Sequence, residues 1–359
     1  LIASTSGPGS PFWVSNATDS VFNSSAVMRD NGMVGAMESD GDATVMWRYL
    51  GYETTVIRFT RTGAGSGTWG AEATYGGTVG YKVDGHGTFG VTGGADSQTM
   101  WVLAGQSSVK ALGTLTWSGT SPTTPALLTD ASTFDIGTNL LLGITPTGHS
   151  LAVWTEAEGE KLLYSTKSAS ASIWSAPLAI VDTYWIRNPR LVDDGSGNIA
   201  LLWRERLSST SSVVARVASW NQSSGWNTPA TISSVTGNAD CISPAMTSAG
   251  SGFVTYVDSA DQTLLYGATF DTEGNVTEGT VIATDSSGGF TCGGDADRYS
   301  IALANDGRYM IAFDVSNGIG AQVYTVNGSL GSGAVASPTL RSPVATSGGE
   351  YYFPKLASK

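Results

Sequence analysis
The chain has 359 residues, 41% of them hydrophobic and only 13% charged, with 46 glycines and 11 Trp, 13 Tyr and 10 Phe; that much aromatic area excludes a disordered chain, and the low charge does not suit long exposed helices. A formal net charge of −12 with 18 scattered Lys and Arg excludes a nucleic-acid binder and disfavours docking on an anionic membrane. No apolar run of about 18 residues encodes a transmembrane helix, and the two cysteines are too few for a zinc ribbon.

The first four residues, Leu1 to Ser4, are not a charged-then-apolar leader, so any leader has already been removed. The earliest patterned segment runs from Gly7 to Trp13, where a glycine stands six positions before an aromatic. The same offset returns at Gly41 and Trp47, Gly148 and Trp154, Gly197 and Trp203, Gly250 and Tyr256, and Gly307 and Phe313, with a looser copy from Gly94 to Trp101. With the looser copy counted, the aromatics from Trp47 onward recur about every fifty residues, the period of propeller blades with their loops.

Before each glycine lies a short apolar segment: Val34–Met37, Phe89–Thr92, Leu142–Thr145, Pro189–Val192, Pro244–Thr247 and Ile301–Ala304. Each pair reads as strand, tight turn, strand, with Asp40-Gly41, Asp194-Gly195 and Asp306-Gly307 supplying residues that tolerate positive φ. A third strand follows, as at Thr54–Phe59, Lys161–Tyr164 and Leu264–Tyr266, and a fourth is entered through Trp174–Pro177 or Trp226–Pro229. Four antiparallel strands per repeat and no 3.6-residue periodicity predict an all-β chain, a β-propeller of four-stranded blades.

The predicted organisation is one propeller domain over 1–359, with blades near 26–77, 78–131, 132–186, 187–241, 242–296 and 297–338. Residues 1–25 and 339–359 form a closing blade, because Phe353–Ser358 matches the first-strand pattern of Asn188–Asp193. Seven blades result, with six as the alternative; joining strands from both termini removes exposed edges.

The segment Pro189 to Trp203, followed by Gly225 to Pro229, resembles the repeats of secreted and surface-anchored bacterial propellers of the sialidase-like, Asp-box-related kind, in degenerate form. Arg61–Trp69 and Ser165–Trp174 keep the tryptophan of an Asp-box without its aspartate, and Trp185–Pro189 is the nearest approach to the motif carrying a sialidase's first arginine. The resemblance implies the scaffold; sialidase-like glycoside hydrolysis is one alternative function.

The links between blades gather chemistry. Asp182-Thr183-Tyr184-Trp185-Ile186-Arg187 places a carboxylate, two aromatics and a guanidinium in six residues, and Asp240, Asp295, Asp297, Arg298, Tyr351 and Tyr352 fall in equivalent links. Aromatics stack on sugar rings while carboxylates and arginines bind hydroxyls. Packing between blades by Tyr184 and Trp185 is the competing reading, and Trp47, Trp101, Trp154 and Trp203 read as core. Asp240, Asp295 and Asp297 are the residues that could hold Ca²⁺; no other cofactor, no metal site and no catalytic residue is assigned. His86 and His149 fall in first-hairpin turns, so neither a Cys-His dyad nor a Ser-His-Asp triad assembles.

Cys241 and Cys292 precede the inner strands of adjacent blades and read as a disulfide. Low lysine, abundant Ser, Thr and Gly, and sequons at Asn16, Asn23, Asn221, Asn275 and Asn327 point to an exported, extracellular or cell-surface protein. The functional expectation is non-catalytic recognition or adhesion, with a glycan or another surface protein as partner. A structural subunit that self-assembles is the second alternative, and a carboxylate pair among Asp182, Asp240, Asp295 and Asp297, assisted by Tyr351 or Tyr352, is the enzymatic one.

Overall fold
In the computed structural model the described residues are 33–37, 43–50, 55–61, 73–75, 77–78, 81–83, 89–91, 98–105, 110–118, 121–122, 126–128, 136–156, 159–233, 237–285, 290, 299–316 and 321–343. Side chains are described for 112–114, 127–128, 139–156, 159–233, 237–285, 290, 299–313 and 324–339. By contact density the chain divides into two compact units, Leu1–Asp182 and Thr183–Lys359.

Each unit holds three antiparallel sheets, and among the described residues there is no helix. In the first unit, one sheet runs Met33–Met37, Ala43–Leu50, Thr55–Arg61 and Ala73–Tyr75 in sequential order. The next is built on Gln98–Gly105 and Lys110–Ser118, with its outer positions broken into short pieces. The third runs Ile136–Ile144, Ser150–Glu156, Lys161–Lys167 and Leu178–Asp182.

The second unit opens with Trp185–Asp193, Asn198–Arg206 and Val214–Asn221, followed by the split outer pieces Gly225–Trp226 and Ala230–Thr231. The split brackets Pro229, which has no N–H to donate to a ladder. Its fifth and sixth sheets are Ala239–Met246, Ser251–Asp258, Asp261–Asp271 and Val276–Thr284, then Tyr299–Leu303, Arg308–Ser316, Ala321–Ser329 and Thr339–Pro343. Residues 339–343, which repeat spacing places in a closing blade, pair instead with Ala321–Ser329. Within each unit the first strands of consecutive sheets are neighbours. These are propeller-type blades.

The recurring glycine has a local cause. Gly148, Gly250 and Gly307 have φ of 80°, 80° and 82°, and their N–H groups donate to the carbonyls of Thr145, Thr247 and Ala304 to close the first hairpin. A left-handed residue at that point of a short hairpin favours glycine. The aromatic six residues later then falls mid-strand and faces inward: Trp154, Trp203, Tyr256 and Phe313 are fully buried. The side chains of Trp47 and Trp101 lie outside the described residues.

Adjacent sheets of the second unit pack face to face. Leu202, Val217, Ile242, Val254, Tyr256 and Phe270 fill the layer between the fourth and fifth, and Phe253, Leu265, Phe290, Tyr309 and Phe313 that between the fifth and sixth. Two aromatics lie over cross-strand glycines, Phe270 over Gly252 and Tyr309 over Gly328, where any Cβ would meet the ring.

Candidate functional site
The first strand of the fourth sheet starts with an interruption. Its register shifts between Arg187 and Arg190, and Asn188 within the bulge has φ of 51°. The fifth sheet repeats this: register shifts between Asp240 and Ser243, and Cys241 has φ of 55°. Left-handed non-glycine residues are costly, and bulges re-aim the side chains beside them. Here the neighbours are Arg187 and Asp240.

Beyond the bulge the hairpin pairs Trp185 with Arg206, Ile186 with Glu205 and Arg187 with Arg204. Cross-strand partners share a face and neighbours along a strand alternate, so Trp185, Arg187, Arg204 and Arg206 lie on one face. The guanidinium carbons of Arg187, Arg204 and Arg206 stand 5.1, 5.6 and 5.7 Å from the Trp185 ring centre, within cation–π range. Tyr184 and Leu207, one step beyond the Trp185–Arg206 pair, are 50% and 58% exposed.

The three arginines are held differently. Arg204 is fixed: Nη2 sits 2.7 Å from Asp240 Oδ1 and Nε donates to the Ala239 carbonyl at 2.9 Å. Burial pushes its pKa down against the pull of Asp240, and the charges of Arg187 and Arg206 push the same way as burial. Arg187 Nη1 donates to the Ile186 carbonyl at 2.9 Å. Arg206 has a buried Nε without a hydrogen-bond partner, while its carbonyl accepts from Thr183 Oγ1 at 3.3 Å. Among the described residues neither Arg187 nor Arg206 has an ion-pair partner.

The opposite face carries the hairpin's internal charge. Glu205, 2% exposed, accepts from Trp203 Nε1 at 3.0 Å and lies 3.3 Å from Arg216 Nε. Arg216 also donates to Thr231 Oγ1 and the Pro229 carbonyl.

Of the sequence-predicted residues, the structure brings Trp185, Arg187 and Asp240 together through Arg204, with Tyr184 beside them. Tyr184 is exposed, so it does not serve as packing between sheets. Asp182 belongs to the third sheet, paired in register with Lys161, whose ammonium is held charged above its usual range first by Glu156, then by Asp182. Asp295, Asp297, Arg298, Tyr351, Tyr352 and Cys292 lie outside the described residues. Cys241 is fully buried and is not a free thiol. Among the described residues no group of three or more His, Cys, Asp or Glu could hold a metal ion, and the Asp240 carboxylate is engaged by Arg204. Arg204 and Arg206 were not anticipated; the signal was their place just after the buried Trp203, where a strand leaves the core with alternating charges.

No protein-family model and no curated protein matches the sequence, so the Asp-box resemblance has no family-level sequence support. Solved structures do match. An ulvan lyase of a polysaccharide lyase family superposes with a TM-score of 0.54 at 12% identity, covering 85% of this chain and 81% of its own. The polysaccharide lyase Uly1 gives 0.54 at 10% identity, covering 88% and 82%. The Aleuria aurantia lectin aligns over 88% of this chain and 96% of its own at 13% identity with a TM-score of 0.42. At these identities the likeness to the lyases is one of fold. It corrects the expectation of a non-catalytic recognition protein, because the scaffold is shared with polysaccharide-cleaving enzymes. No helix among the described residues is long and apolar enough to cross a membrane.

Proposed function
We propose that the chain is an exported carbohydrate-active enzyme that cleaves a polysaccharide bound at the Trp185 end of the fourth sheet. The observation that carries this reading is the half-buried Trp185 indole with three guanidiniums 5.1 to 5.7 Å from its ring centre, at the bulged start of the first strand of the fourth sheet. An apolar surface bordered by a few fixed polar groups is the usual lining of a sugar site. The shared scaffold of two polysaccharide lyases supports catalysis over simple recognition.

Tyr184, Trp185, Arg187 and Asp240 are the core of the proposed site, and Asp182, Asp295, Asp297, Arg298, Tyr351 and Tyr352 remain candidates for its surroundings. For the scaffold we favour a single seven-bladed ring closed by both termini, with six blades as the alternative. We also pair Cys241 with Cys292, in keeping with export.

The test is to incubate the purified chain with a panel of neutral and acidic polysaccharides and follow chain length by size-exclusion chromatography. Shortening of at least one polymer, lost at least tenfold in Trp185→Ala, is expected. A folded protein that shortens none of them would refute the enzymatic reading.

A further inference from the structure
Charge around Trp185 is unbalanced. Three guanidiniums lie 5.1 to 5.7 Å from one indole centre, and Asp240 pairs with Arg204 alone. Glu205, the carboxylate between Arg204 and Arg206 in the strand, points to the opposite face and is used by Trp203 and Arg216. Among the described residues Arg187 and Arg206 are therefore left without a counter-charge, and Arg206 keeps a buried N–H with no acceptor. A buried donor left unmatched costs free energy unless a ligand supplies the acceptor. Uncompensated cations are also unexpected in a chain of net charge −12.

We infer that Arg187 and Arg206 form an anion subsite for an acidic sugar, taking its carboxylate or sulfate group while the apolar face of the sugar rests on Trp185. This deepens the reading proposed above and rests on it for the role of the site. Guanidinium groups suit planar carboxylates and sulfate esters through paired N–H donors. Arg204 acts differently: tied to Asp240 and to the Ala239 carbonyl, it joins the end of the second strand of the fourth sheet to the start of the first strand of the fifth and positions the cluster. Overall charge repels an acidic polymer, so binding depends on this local patch and weakens as salt screens it.

The test uses the full chain in calorimetric titrations with a uronate oligosaccharide, a sulfated neutral-sugar oligosaccharide and an uncharged gluco-oligosaccharide. The expected result is binding of one or both acidic ligands in preference to the uncharged one. Arg187→Gln and Arg206→Gln should each weaken it by about ten- to a hundredfold, the size of one charge-assisted contact. Arg308→Gln, on an exposed turn of the sixth sheet, serves as control and should bind as the parent does, with thermal melting confirming each fold. Preference for uronate or for sulfate identifies the group recognised. Equal binding of the uncharged ligand, unchanged binding by both variants, or no acidic ligand bound by folded parent chain would each overturn the subsite. Cleavage of a neutral polymer with both variants fully active would overturn it while leaving the enzymatic reading intact. Acidic-ligand binding without cleavage of any polymer would do the reverse.

Discussion

Glu205 and its neighbours Arg204 and Arg206 are adjacent in sequence yet do opposite work, because a strand sends successive side chains to opposite faces. Glu205 is buried with Trp203 Nε1 and Arg216 as partners, so it stabilises the sheet, whereas the arginines serve the site. Glu205→Ala strands the indole N–H and leaves Arg216 without its carboxylate, at a cost of about 3 kcal/mol. Urea unfolding should register that loss, and Glu205→Gln, which keeps an acceptor for Trp203, should lose less. An alanine variant as stable as the parent would show that the buried pair contributes nothing. Aromatic and charged residues of the Asp182–Arg187 link were legible in the sequence as site material. Their grouping was not, since whether Asp182 or Asp240 meets Arg204 is decided by pairing between distant strands.

At the scale of hairpins, the turns are fastened by aspartates that accept from their own loop. Asp271 accepts from the backbone N–H groups of Glu273 and Asn275 and from the Asn275 side chain. Partial burial raises its pKa, but these bonds outweigh it and hold the carboxyl below its usual range. Asp261 is lowered by the Thr263 hydroxyl and N–H, and Asp306 by the Arg308 backbone and guanidinium. For groups depressed in the folded state, stability is present above the unfolded value of about 3.9 and is lost as pH falls through the lower folded values. The urea midpoint should thus hold down to about pH 4 as far as these groups go, then fall, with a shallower fall in Asp271→Asn. A midpoint that rises on acidification below that point would contradict the sign of all three shifts. The four-strand repeat was legible because glycine at positive φ and a buried aromatic mark the first hairpins of the third to sixth sheets. The bulges at Asn188 and Cys241 were not: asparagine tolerates the left-handed region but adopts it in only a minority of its places, and cysteine gives no such signal.

Across the described residues, one meander is repeated and varied at the starts of its first strands, where bulges in the fourth and fifth sheets flank Arg187 and Asp240. Leu202, Val254 and Phe313 hold the sheets of the second unit together, and the repeated core leaves the strand starts free to carry Trp185, Arg187 and Asp240. The link residues pointed to a recognition protein; the fold is shared with two polysaccharide lyases, and cleavage of a polysaccharide is the function we propose. The most direct measurement is a crystal structure of the chain with an oligosaccharide from a polymer it shortens. The expected result is a sugar ring against Trp185 with an acidic group in contact with Arg187 and Arg206. A sugar bound elsewhere, with the Trp185 face empty, would contradict the assignment of this site.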